Sequence, residues 1–134
     1  MKRAVLYADG ACRGNPGPAG SGAALVNAEG EVVAEETLFL GHGTNNVAEY
    51  TALIIGLEAA RRHNVEDLEV RMDSKLVVEQ MNGKWRVRDA KLIPLAIRAR
   101  ELFAQFPKKR IRHIPRAENH IADALANRAI DEAA

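Results

Sequence analysis

The sequence has 134 residues, 47% of them hydrophobic, enough for a single domain over residues 1–134 with a sizeable core. Nineteen Lys and Arg stand against 18 Asp and Glu, a net charge of +1, so net charge alone points to no polyanionic partner. One Cys excludes a disulfide framework and fits a reducing compartment. The N-terminus lacks the pattern of a signal peptide, and no apolar run approaches the ~20 residues of a membrane span. The expectation is a cytoplasmic protein without membrane association.

The first predicted strand is Ala4 to Ala11, apolar until Asp9-Gly10. An acid at the end of an apolar strand is costly to bury unless a cation meets it. An Asp-Gly pair also closes hairpins. The stretch Cys12 to Gly22 carries four glycines and two prolines, more than a tight turn needs, and reads as a binding loop. Asp9 is therefore the first candidate ligand for a metal or substrate. Ala23–Asn27 and Val32–Leu40 flank Ala28-Glu29-Gly30 and predict a hairpin, completing a three-strand meander.

Thr44, Asn45 and Asn46 supply caps for a helix over about Val47–His63, apolar nearly all round its middle and stopped by Asn64. Leu68, Val70 and Met72 alternate with polar residues in a fourth strand that ends on Asp73, and a helix from Ser74 to Asn82 stops at Gly83. Strand, helix and strand in succession is the parallel crossover pattern. Asp89 is the expected cap of a further helix, with Pro94 in its first turn and Pro107 beyond its end. Arg110–Ile114 predicts a fifth strand. Asn119 to about Ile130 predicts a last helix with Ile121, Leu125 and Ala129 inward. The sum is an α/β fold with a five-stranded mixed sheet, an antiparallel meander plus parallel strands, flanked by helices.

Four acids stand out among apolar neighbours: Asp9, Glu49, Asp73 and Asp123. Glu49 and Asp123 each admit a second reading as acids of a first helical turn, and Asn46-x-x-Glu49 resembles a capping box. If the strands of Asp9 and Asp73 are parallel neighbours, both carboxylates emerge where ligands of α/β sheets gather. Four converging carboxylates require cations, and an all-oxygen donor set suits Mg²⁺ or Mn²⁺. Two such ions, about 3.5–4 Å apart, would activate a water and stabilise the leaving oxygen of a phosphodiester. Two basic runs, Lys108–Arg116 and Lys84–Lys91, read either as nucleic-acid contacts or as solvated faces.

Asp9 to Gly20, Thr44-Asn-Asn-Val-Ala-Glu-Tyr50, Asp73-Ser-Lys75 and Asn119 to Asn127 occur in an order and spacing that resemble type 1 ribonuclease H, over essentially the whole chain. The resemblance implies the ribonuclease H-like fold, two Mg²⁺ or Mn²⁺ ions, and endonucleolytic cleavage of the RNA strand of RNA/DNA hybrids to 5′-phosphate and 3′-hydroxyl ends. By position it makes Asp9, Glu49, Asp73 and Asp123 the metal-binding carboxylates. It places Thr44 and Asn45 at a phosphate pocket of the DNA strand. Cys12, Asn15, Asn45 and Lys75 fall at minor-groove contacts, where the 2′-OH distinguishes RNA from DNA. Trp85 matches an aromatic near the DNA backbone, or else half-closes the core.

The segment Asn82–Asp89 leaves no room for the extra helix and basic loop of longer family members, so the chain resembles the compact prokaryotic form. The family's mobile histidine has three candidate counterparts: His113, by distance from Asp123, with Arg116 and His120 as competitors. Pro115 favours extension through Ile114, which leaves Arg116 in the loop and makes it the preferred assistant to turnover over His113. Two rival readings keep the fold: a duplex-binding module without catalysis, and a nuclease for double-stranded RNA. No obligate protein partner is implied, and a monomer is expected.

Overall fold

A computed structural model describes residues 1–134. The strands are β1 (Arg3–Cys12), β2 (Gly17–Asn27), β3 (Val32–Gly43), β4 (Asp67–Met72) and β5 (Lys108–His113). The helices are α1 (Asn45–Arg62), α2 (Lys75–Met81), α3 (Ile93–Phe103) and α4 (His120–Ala133). One five-stranded sheet runs in the order β3-β2-β1-β4-β5. The β1–β2 and β2–β3 pairs are antiparallel, while β4 pairs in parallel with β1 and with β5. The mixed sheet read from the sequence is the sheet observed. No helix is long and apolar enough to cross a membrane.

The core lies between one face of the sheet and α1, α2 and α3. Leu6, Leu25, Leu68, Val70 and Ile111 from the strands meet Tyr50, Leu53, Leu57, Val77 and Leu102 from the helices, all buried. Thr44 caps α1, its hydroxyl accepting from the Val47 N–H at 3.3 Å. Asn64 takes a φ of +54° just past the other end, as a helix stop does. Helix α4 packs on the opposite face, against β1, β2 and β3.

That packing narrows the binding-loop reading of Cys12–Gly22 to the residues before β2. Only Arg13–Pro16 connects β1 to β2, and the remaining glycines lie inside β2. A Cβ on Gly22 would stand 2.5 Å from the Ala126 nitrogen and 2.6 Å from the Leu125 Cβ. Gly20 and Gly22 are small so that α4 can lie directly on the strand, whereas a Cβ on Gly17 would meet the Arg13 carbonyl oxygen at 2.0 Å. Two other expectations shift. Asp89 does not cap α3: its carboxylate accepts from the Lys91 N–H at 2.9 Å, in a turn before the helix, and α3 has no side-chain cap. In α4 the buried positions include Ala122, Ala126 and Ile130 with Leu125 and Ala129, while Ile121 is only partly covered.

Candidate active site

Parallel pairing of β1 and β4 sends Asp9 and Asp73 to the same end of the sheet. Asp73 follows β4 directly. Asp9 lies within β1, opposite Gly22 of β2, and not at the strand's end as its sequence context suggests. Glu49 reaches them from α1. With Thr44 as cap, Glu49 belongs to the second turn, and the first turn of α1 holds no acid, so the capping-box reading fails. The Glu49 carboxylate instead accepts from the Gly10 N–H across the element boundary. A Cβ on Gly10 would sit 2.4 Å from the Glu49 nitrogen, so only glycine lets α1 approach β1 closely enough for that bond. Ser21, paired with Gly10, fastens the same turn by donating to the Ala48 carbonyl at 2.7 Å.

Carboxylate oxygens of Asp9, Glu49 and Asp73 all lie within 4.8 Å of one another. Asp123, in the first turn of α4, completes a pocket of about 370 Å³ shared with Cys12, Arg13, Asn45, Ser74, Arg116 and Asn127. Burial, reinforced by the charges and hydrogen bonds of Glu49, Asp73 and Asp123, pushes the Asp9 carboxyl up to about 10. Burial also raises Glu49, opposed by hydrogen bonds from Asp9 and from the Gly10 N–H. Acids crowded this closely hold their protons unless a cation replaces them. A compact, all-oxygen donor set with that unrelieved repulsion fits a hard divalent ion.

Asn119, which sequence reasoning left as a helix start, supports the cluster from beneath. Its side chain is buried and does not cap α4. The Nδ2 donates to the Ala8 carbonyl at 2.9 Å and to Asp73 Oδ1 at 2.7 Å, tying β1, the Asp73 carboxylate and α4 together. A polar residue four before an acid on a helix-start segment was the available signal, but a cap and an inward anchor look alike in sequence.

The remaining candidates divide. Asn45 and Cys12 line the acid pocket, and Asn15 adjoins it, its Oδ1 accepting from the Asn45 N–H at 3.2 Å. Thr44 lies beside them as the α1 cap, and Lys75 opens α2 in an exposed position next to Ser74. Arg116 opens a short 3-10 turn, Arg116–Glu118, and its guanidinium stands 3.9 Å from the Asp123 carboxylate. His113 is the last residue of β5, its Nε2 3.2 Å from the Asp73 carbonyl, outside the pocket lining. His120, the first residue of α4, also lies outside it. Trp85 is 43% exposed and is not among the side chains packed against the core. It lines a separate groove with Lys84, Arg86, Ile93 and Ile97.

Four acids at the point where the antiparallel half of a β3-β2-β1-β4-β5 sheet meets its parallel half define the ribonuclease H-like class of α/β protein. A family described as "Reverse transcriptase-like" matches residues 7–129. Ribonuclease HI of Halobacterium salinarum is 50% identical over 131 residues, covering 98% of this chain and 66% of that protein. The bifunctional protein Rv2228c of Mycobacterium tuberculosis is 48% identical, over 98% of this chain and 36% of its own length. The chain thus spans less than two thirds of these relatives. Among solved structures, LC11-RNase H1 in complex with an RNA/DNA hybrid superposes with a TM-score of 0.90 at 39% identity, covering 97% of this chain and 98% of that one. The chain belongs to the ribonuclease H family.

Proposed function

We propose that residues 1–134 form a metal-dependent endoribonuclease domain that hydrolyses the RNA strand of RNA/DNA hybrids, leaving 5′-phosphate and 3′-hydroxyl ends. The observation that carries the proposal is the convergence of Asp9, Glu49 and Asp73 within 4.8 Å, with Asp123 and Arg116 at the rim of the same pocket. The complex of LC11-RNase H1 with a hybrid supports the choice of substrate.

Asp9, Glu49, Asp73 and Asp123 would hold Mg²⁺ or Mn²⁺, two ions per site. Bound there, the ions supply a nucleophilic water near neutral pH and neutralise charge on the leaving oxygen. Asn119 holds the Asp73 carboxylate in place through its 2.7 Å hydrogen bond, and the Gly10 N–H does the same for Glu49. Arg116, 81% exposed at its side chain, can meet phosphate charge at the rim with a guanidinium that donates hydrogen bonds and accepts none. Thr44 and Asn45 form a phosphate pocket for the DNA strand at the start of α1, Cys12, Asn15, Asn45 and Lys75 contact the minor groove, and Trp85 packs against the DNA backbone. The domain acts as a monomer in the cytoplasm.

The test is a substrate panel of RNA/DNA hybrid, RNA duplex and DNA duplex, each with Mg²⁺ and with chelator. Cleavage of the hybrid alone, only with Mg²⁺, and abolished by Asp9→Asn or Asp73→Asn, is expected. Cleavage of the RNA duplex at a comparable rate would replace the substrate assignment, and tight hybrid binding without cleavage would make the domain a binding module.

A further inference from the structure

Glu69 is a buried acid remote from the chemistry, on the sheet face that α4 leaves uncovered beyond β1. Register pairs it with Val5 of β1 and Arg110 of β5, and pairs Arg71 with Tyr7 and Arg112. This is the face of Asp9 and Asp73, each two residues further along its own chain than Tyr7 and Arg71. Glu69 is 9% exposed at its side chain and accepts from three guanidiniums. In every case the donor is the inner nitrogen: Nε of Arg71, Nε of Arg110 at 2.6 Å, and Nε of Arg112 at 3.0 Å. The outer amino groups are left over. Arg71 uses one on the Tyr7 hydroxyl at 2.7 Å and Arg110 uses one on Asp67 at 3.3 Å, while Arg112 commits neither. Side chains of Arg110 and Arg112 are 55% and 52% exposed.

One buried carboxylate therefore orders a row of arginines whose free donors face solvent. Arg3 and Lys108 flank the row on the same face, so five cations meet only Asp67 and Glu69. Arg110 and Arg112 alternate along β5, about 6.6 Å apart, comparable with the step between successive phosphates of an extended strand. Guanidinium forks are suited to phosphate, and donors already held in place lose little freedom on binding.

We propose that this face is a binding track for a single-stranded RNA segment that continues from the strand held at the carboxylates. The reasons are the surplus of cations, their fixed outward donors and the shared face that runs into the acid pocket. The inference rests on the proposed RNA/DNA substrate, which fixes the strand at the acids as RNA.

The experiment measures Kd for a blunt hybrid and for the same hybrid with a single-stranded RNA extension of about ten nucleotides, in each polarity. Protein carrying Asp9→Asn prevents turnover. An extension of one polarity is expected to tighten binding. Two added phosphate contacts at about −0.7 each steepen the salt slope by about 1.4, so the gain shrinks roughly sevenfold between about 50 and 200 mM salt. Arg110→Gln with Arg112→Gln removes the gain and leaves blunt-hybrid affinity and cleavage by the otherwise native protein unchanged. If melting shows that the double variant is not folded, Arg112→Gln alone, which leaves two arginines on Glu69, reads half the slope change. A gain that survives the substitutions, a gain that a DNA extension matches, or an equal loss on the blunt hybrid would overturn the proposal. Failure of the wild-type protein to cleave blunt hybrid would instead refute the substrate on which it rests.

Discussion

Replacing Asp9 by Asn should stabilise the protein in the absence of metal, and by an amount that grows with pH. The Asp9 carboxyl is 5% exposed and is carried by burial and its acidic neighbours from 3.8 to about 10. Below pH 3.8 it is protonated in both folded and unfolded chains and has no effect on stability. Above that value the unfolded chain ionises while the folded one does not, so native stability falls by about 1.4 kcal/mol per pH unit. Asn keeps the shape and does not titrate. The variant's advantage should therefore widen between pH 5 and pH 7, by up to about 3 kcal/mol. Urea denaturation of both proteins with chelator present, at pH 5, 6 and 7, measures it. Adding Mg²⁺ should close the gap from the wild-type side, because a cation bound only by the folded state stabilises that state. A difference that stays constant with pH, or a variant less stable than wild type at pH 7, would show that Asp9 is ionised in the fold and that the cluster does not carry the strain argued for it.

Three other outcomes follow from the geometry. Gly22→Val forces side-chain atoms into the space occupied by the Ala126 nitrogen and the Leu125 Cβ; it should lower stability by about 1–3 kcal/mol and depress cleavage by shifting Asp123, read by denaturation and single-turnover rates. Arg116→Ala should reduce kcat more than His113→Ala, since Arg116 faces Asp123 and His113 is held by β5 against the Asp73 carbonyl; a pH–rate profile that loses a titration near neutrality in His113→Ala would reverse the assignment. Against the upward pull of burial, hydrogen bonds from Arg71, Arg112 and Arg110 draw Glu69 down to about 2. Its stabilisation is present above pH 4.5 and is lost as pH falls towards 2, so Glu69→Gln should cost about 1–2 kcal/mol at pH 7, given its half-exposed partners, and much less at pH 2 by the same denaturation assay.

The sequence made Asp9 legible because it ends a continuous apolar run, and Asp73 because it closes a strand in which Leu68, Val70 and Met72 alternate with polar residues; the crossover pattern implied parallel strands, while their order came from the structure. Glu49 was ambiguous because a cap and a ligand have the same spacing from Asn46; what separates them is the Gly10 N–H, thirty-nine positions away in the chain. The glycines of β2 were misread for a related reason. Gly20 and Gly22 accommodate α4, and no local pattern announces which distant helix will rest on a strand. Asn119 was hidden by its own chemistry, since the residue type that caps helices also anchors carboxylates. The arginine row on β4 and β5 read as a basic run or a solvated face, and only lateral registry revealed that one acid organises it.

Helix α4 brings both Asp123 and the Asn119 bond that steadies Asp73. The other three acids come from β1, α1 and the residue after β4. Those three acids do not depend on α4 for their place in the chain. With α4 undocked, the site would be incomplete, without its fourth acid and with Asp73 untethered. Catalytic competence is thus coupled to the docking step, when alanines of α4 settle onto Gly20 and Gly22. A truncation or a slow-docking variant that leaves the sheet intact should give a folded but idle protein, because the close contact of helix and glycine is what completes the site.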